Sequence, residues 1–169
     1  MAPAKYAPSR RALHWLIVLL MVAVFVLIEF RGEFERGTAA RTFMVQGHFW
    51  VGLAIFALML PRLLLAASRP APPVRPPLPA WQAMPAKAVH LLLYAMLVLQ
   101  PLLGLATAWA DGKQLLVPFT SVAVPALIAA NADLAHSLED LHELVGTGFY
   151  WVVGLHVLAT LYPHLVRRD

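Results

Sequence analysis

Four long apolar stretches, separated by short segments that carry nearly all the charge, organise the chain. They run over 12–28, 43–67, 88–110 and 143–166, close to or above the roughly 20 apolar residues a helix needs to cross a hydrocarbon core about 30 Å thick. The pattern predicts an all-α membrane protein, a bundle of four transmembrane helices forming one domain over residues 1–169. Lys5, Arg10 and Arg11 precede the first stretch, as in a secretory signal. No small-residue cleavage site follows Val26, where the chain reads Leu27, Ile28, Glu29, Phe30, Arg31, so this stretch is expected to be a retained span.

The connections differ in character. RPAPPVRPPLPAW (Arg69–Trp81) is Pro-rich and predicts an extended strap that spaces the second and third spans. The longer Asp111–Asp140 connection mixes apolar residues with Pro118 and Pro125 and turns helix-like near Asn131. It predicts a partly ordered cap, with a helix starting at Asn131 or Asp133 and running into the fourth span. Pro101 falls inside the third span, where neighbouring helices can satisfy a freed carbonyl.

Composition agrees with the pattern: 60% of residues are hydrophobic and the mean hydropathy is +0.70. A net charge of +4 and a pI near 9.9 would suggest an anionic partner for a soluble protein. Here nine of thirteen Lys and Arg residues lie in the N-terminal tail, the 62–87 connection and the C-terminus, against the single acid Asp169. The remaining connections hold Arg31, Arg36, Arg41 and Lys113 with eight acids. The asymmetry is topological and argues against nucleic acid; both termini are expected in the cytoplasm and the acidic loops outside.

With no cysteine in the chain, disulfides, thiolate metal sites, iron–sulfur clusters and covalently attached c-type haem are excluded. Histidine remains as the strong ligand, and ionisable side chains inside a membrane are functional candidates. His48 and His142 begin the second and fourth spans at the outer side. His14 lies fourteen residues below Ile28, and His156 the same number below His142. On a helix that interval is about 21 Å of rise and returns to within about 40° of the starting direction. Two pairs at two depths are what bis-histidine ligation of two b-type haems requires. Spacing does not separate His14 from His90, which begins the third span at the inner side, as the partner of His156. His136 reads as a residue of an amphipathic helix, and His164, near Arg167, as interfacial or as lining a quinone or propionate site. Gly47, Gly52 and Gly146 lie near the ligands and would suit either a flat macrocycle or close helix packing; Phe149 and Val153 project between the two levels.

Several motifs together resemble the prokaryotic cytochrome b561 family: His14–Trp15 in span one, EFRG (Glu29–Gly32) at its end, HFWVG (His48–Gly52), PRLLL (Pro61–Leu65), AKAVHLLLY (Ala86–Tyr94) and HELVGTGFYWVVGLH (His142–His156). The likeness covers nearly the whole chain. It implies a four-helix inner-membrane protein with two haem b groups, His14 and His156 on the inner iron and His48 and His142 on the outer. The resemblance, unlike the spacing, prefers His14 over His90. Through EFRG the chain is most similar to small members that oxidise superoxide and reduce ubiquinone. It departs from them after the last ligand, where Tyr162, Pro163 and His164 leave one histidine of a pair.

With both axial positions filled by histidine, electrons would exchange through the macrocycle edges, which implies electron transfer rather than oxygen activation. Superoxide as donor would need a local cation, for which Arg31, Arg36, Arg41 and Lys113 are available, Arg31 of EFRG foremost; Arg31 or Arg41 could equally pair with haem propionates. Two other readings stay open: a cytochrome b anchor carrying electrons between quinone and a separate redox partner protein, and a histidine-lined metal or proton transporter. The chain lacks the pair of broken helices that transporters use.

Overall fold

The structure is a computed structural model and describes residues 7–68 and 79–162. His164 and residues 69–78 of the Pro-rich strap lie outside the described residues. Four long helices follow in order: α1 (Pro8–Glu29), α2 (Ala39–Ser68), α3 (Ala80–Ala110) and α4 (Ala132–Tyr162), with a 3-10 turn at Phe30–Glu33 between the first two. All four are long and apolar enough to cross a membrane. Each begins before the apolar stretch that announced it, because helical hydrogen bonding is stopped by caps and not by the edge of the hydrocarbon. Pro8 stands in the first turn of α1, where its missing N–H has no partner to lose. The Thr38 hydroxyl accepts from the Arg41 N–H at the start of α2 (3.3 Å).

α3 ends in a Schellman motif: Lys113 N–H donates to Ala108 O and Gly112 N–H to Trp109 O. Gly112 takes the positive φ of 67° that this turn demands. The connection that follows folds back on itself. Leu116 and Ala123 form an isolated antiparallel bridge, and Asn131 N–H donates to Ala110 O, returning the chain to the end of α3. The Asn131 side chain then accepts from Leu134 N–H (3.0 Å) and starts α4 where the sequence placed it. Pro61, Pro85 and Pro101 all sit inside helices.

Close backbone approach joins α1 to α2, α2 to α3 and α3 to α4. The first and last helices meet through large side chains instead: Phe25 lies against Phe149 and Tyr150, and the Tyr150 hydroxyl donates to Glu29 (2.9 Å). Ile17, Val24, Ile55 and Met59 are buried between α1 and α2, with Tyr94, Leu97 and Val98 of α3 packed against them. Leu19, Leu64, Leu91 and Trp151 point outward and exposed. Apolar surface spread over every helix in this way calls for lipid rather than water.

Candidate functional site

α2 and α4 bring His48 and His142 together, their ring centroids 6.3 Å apart and their planes at 85°. The His48 Nδ1 lies 2.9 Å from Val24 O. A carbonyl only accepts, so Nδ1 carries the proton and Nε2 keeps its lone pair. Metal-binding histidines are oriented in this way, the far N–H held by a backbone carbonyl. Gln100 donates to the His142 backbone carbonyl (2.7 Å), whereas the ring Nδ1 of His142 is buried without a hydrogen-bond partner among the described residues.

Between the two rings opens a cleft lined by Phe49, Gly52, Leu53, Pro101, Gly104 and Leu105. Such a lining suits a flat, largely apolar group. Two metal–nitrogen bonds of about 2.0 Å, each extended by about 1.1 Å to the ring centre, give opposed imidazoles roughly 6.2 Å apart, against the observed 6.3 Å. The residues present therefore fit a metal held between His48 and His142. The three glycines noted in the sequence divide by role. Gly52 lines the cleft with open space where a Cβ would stand, whereas a Cβ on Gly47 would meet Leu27 at 3.3 Å and one on Gly146 would meet Gln100 at 3.2 Å. The latter two serve helix packing.

A second cluster gathers His14 of α1, Arg62 of α2, His90 and Tyr94 of α3 and His156 of α4. The His90 and His156 rings lie 5.2 Å apart and nearly perpendicular. An Arg62 Nη2 lies 3.3 Å from His14 Nδ1, and His14 is a neighbour of His156 and His90. The structure thus puts all three candidate inner histidines in one place, with the direct ring contact between His90 and His156. Burial separates them in another way. His14, His48, His142 and His156 are half-buried, while His90 and His136 are exposed. His90 turns its Nδ1 back to Ala86 O (2.7 Å), and His136 pairs with Asp140 one turn on (3.1 Å).

Residues 5–169 match the family profile of prokaryotic cytochrome b561. The chain belongs to the prokaryotic cytochrome b561 family. Among its relatives, "Cytochrome b561 homolog 1" of Escherichia coli strain K12 is 27% identical over 165 residues, covering 98% of this chain and 93% of the relative. "Probable superoxide oxidase CybB" of Yersinia pestis is 33% identical over 166 residues, covering 98% and 92%. The protein is accordingly a multi-pass inner-membrane electron-transfer cytochrome, and cytochromes of this family bind haem b.

Within this cytochrome b561, Arg41, Arg31 and Lys113 have distinct duties. Arg41 is a clasp: one Nη donates to Arg31 O and Phe34 O, both at 3.0 Å, closing the turn between α1 and α2. Arg31 donates one Nη to Ile28 O (3.0 Å), and its charge reaches His48. Lys113 is paired with Asp111 (2.6 Å). Phe149, expected between the two levels, is 2% exposed and set edge-on to Phe25.

Three residues beside the histidines escaped the sequence reading. Gly104 faces His142 so closely that a Cβ would lie 2.9 Å from the ring Cε1. Gln100 holds the His142 backbone. Both sit on α3 while His142 sits on α4, and no spacing within one helix reveals such a contact. Arg62 carried a signal, since it is a cation at the end of an apolar run, but it reads equally as a topological charge.

Proposed function

We propose that this cytochrome b561 is a superoxide:ubiquinone oxidoreductase, taking single electrons from superoxide at its outer face and delivering them to ubiquinone. Two superoxide anions are oxidised to two dioxygen molecules; one quinone gains those two electrons and two protons to become quinol. In this reading His48 and His142 hold one haem b and His14 and His156 the other, with both termini cytoplasmic. Each bis-histidine haem b supplies reversible one-electron exchange through its macrocycle edge.

The chain's own residues orient and insulate. Val24 O fixes the His48 ring through Nδ1 and leaves Nε2 unprotonated; Leu53, Leu105 and Phe49 keep the adjoining cleft apolar. Arg31 supplies a cation near His48. The outer connections are net acidic, so its attraction for a small anion acts locally, within a screening length of about 8–10 Å. The observation that carries the reading is the set of four half-buried histidines on three helices, two of them on α4, with His48 and His142 spaced as two axial ligands would be. The name of the Yersinia pestis relative supports superoxide as donor.

The test is anaerobic. Superoxide supplied to the purified protein should reduce its haem, superoxide dismutase should suppress that reduction, and added ubiquinone should reoxidise it. If superoxide leaves the haem oxidised while quinol or a dehydrogenase reduces it rapidly, the protein is an electron-carrying anchor and the superoxide reading fails.

A further inference from the structure

Arg62 stands at the inner cluster with its hydrogen-bonding capacity poorly used. Its side chain is half-buried on α2, its Nε is buried without a partner, and it lies 5.7 Å from the centre of the Tyr94 ring. No carboxylate pairs with it among the described residues, whose salt bridges are Lys113–Asp111 and His136–Asp140. A guanidinium is always charged and has five donors and no acceptor. Within a membrane-spanning helix such a group needs a counter-charge.

Among the described residues its one hydrogen-bond partner is His14. Because the guanidinium can only donate, His14 Nδ1 accepts this bond with its lone pair (3.3 Å). A metal-ligating His14 has no such lone pair to give. If Nε2 binds the metal, the proton moves to Nδ1 and two donors face each other; if Nδ1 binds it, the lone pair is spent. Arg62 and a metal-bound His14 are therefore incompatible as hydrogen-bond partners, and the fork must turn to another acceptor.

We propose that this acceptor is a carboxylate of the inner haem, and that Arg62 is its anchor, an assignment that rests on the reading of His14 and His156 as haem ligands. Planar, bidentate recognition of carboxylate is what arginine does best, and the buried Nε gains its missing partner in the same step. Tyr94 gives the displaced guanidinium an aromatic face to slide against. Arg62 is thus a positioning residue that couples ligation at His14 to capture of the anionic edge of the same group.

The test uses the intact holoprotein, with Arg62→Gln and Arg62→Lys. Resonance Raman should show the propionate bending band of the inner haem displaced in Arg62→Gln and largely restored in Arg62→Lys. The inner midpoint potential should fall in Arg62→Gln, because an uncompensated carboxylate favours the ferric state. Protein loaded with haem dimethyl ester, whose carboxylates are blocked, should lose the difference between wild type and Arg62→Gln. An unmoved propionate band in a protein with two haems overturns the anchor and leaves the ligand reading intact. A potential difference that survives esterification also overturns it; if that difference disappears when anionic lipid in nanodiscs is replaced by zwitterionic lipid, the counter-ion is a lipid phosphate. Absence of an inner haem, read by pyridine haemochrome, overturns the ligand reading itself and the anchor with it.

Discussion

Substituting Gly104 with alanine tests the outer site at its tightest point. The added Cβ would stand 2.9 Å from His142 Cε1, where carbon atoms prefer about 3.5–4.0 Å. A free imidazole could swing aside cheaply. One fixed by a metal cannot, and the backbone of His142 is itself held by Gln100 (2.7 Å). Overpacking of this kind costs about 1–3 kcal/mol, which at 1.4 kcal/mol per tenfold would weaken the hold on the haem proposed between His48 and His142 by roughly 5- to 150-fold. The same change should not weaken α3, since alanine is favoured over glycine in a helix interior by about 1 kcal/mol. The expected phenotype is a well-folded protein that loses, or holds with an altered low-spin signal, one haem of two. Haem content per chain and electron paramagnetic resonance read this directly. Gly32→Ala, where a Cβ meets nothing within 4 Å, is the control and should keep both haems. Retention of two unperturbed haems in Gly104→Ala, or loss of the inner one, refutes the placement of a metal between His48 and His142.

Single alanine substitutions at His48 and His142 should remove the same haem, and those at His14 and His156 the other, while His90→Ala spares both; loss of the inner haem in His90→Ala with retention in His14→Ala reverses the inner assignment. Cysteines placed singly at Gly37 and Ala80 should label from opposite sides with an impermeant reagent, and labelling of Ala80→Cys in intact cells contradicts cytoplasmic termini. Arg31→Gln should slow reduction by superoxide several-fold and flatten its dependence on ionic strength, because the attraction it supplies is screened within about 8–10 Å; an unchanged salt dependence removes Arg31 from the donor step.

The four helices were legible because each apolar run is long and the charges gather between runs, and the α4 start was legible because Asn131 is a capping residue in front of a periodic segment. That the His48 and His142 rings come close was legible because each begins an apolar run that enters the bundle from the same end. His14 and His90 were not separable by spacing, because each begins a span at the inner side; burial distinguishes them, and burial depends on neighbours from other helices. Arg31 and Arg41 looked alike as outer cations. Arg41 in fact closes a turn on two carbonyls, and a residue that closes a loop has the same sequence signature as one that greets an anion. Gly104, Gln100 and Arg62 act across helix interfaces, where a linear pattern carries no register between partners.

The rotation of α2 about its own axis decides where His48 points, and hydrogen bonds on two sides of the helix set that rotation. On the first side, His48 Nδ1 is held to Val24 of α1. On the other stand Gln46 and Trp50, two residues before and after His48 and therefore about 200° around the helix. Gln46 donates to Gln114 O (2.9 Å) and accepts from Leu116 N–H (3.0 Å), and Trp50 Nε1 donates to Leu116 O (2.7 Å). The cap thereby pins the back of α2 while leaving the face that carries His48 clear. Gln46→Leu removes two of these three bonds and strands the part-buried Leu116 N–H, at the lower end of the about 1–3 kcal/mol that an unsatisfied group costs. Amide exchange at Leu116 should accelerate accordingly, and the outer haem should show a broadened low-spin signal as His48 samples more orientations, with the inner haem unaffected. If exchange accelerates while the outer haem signal stays sharp, the cap is a lid fastened to α2 and does not orient His48.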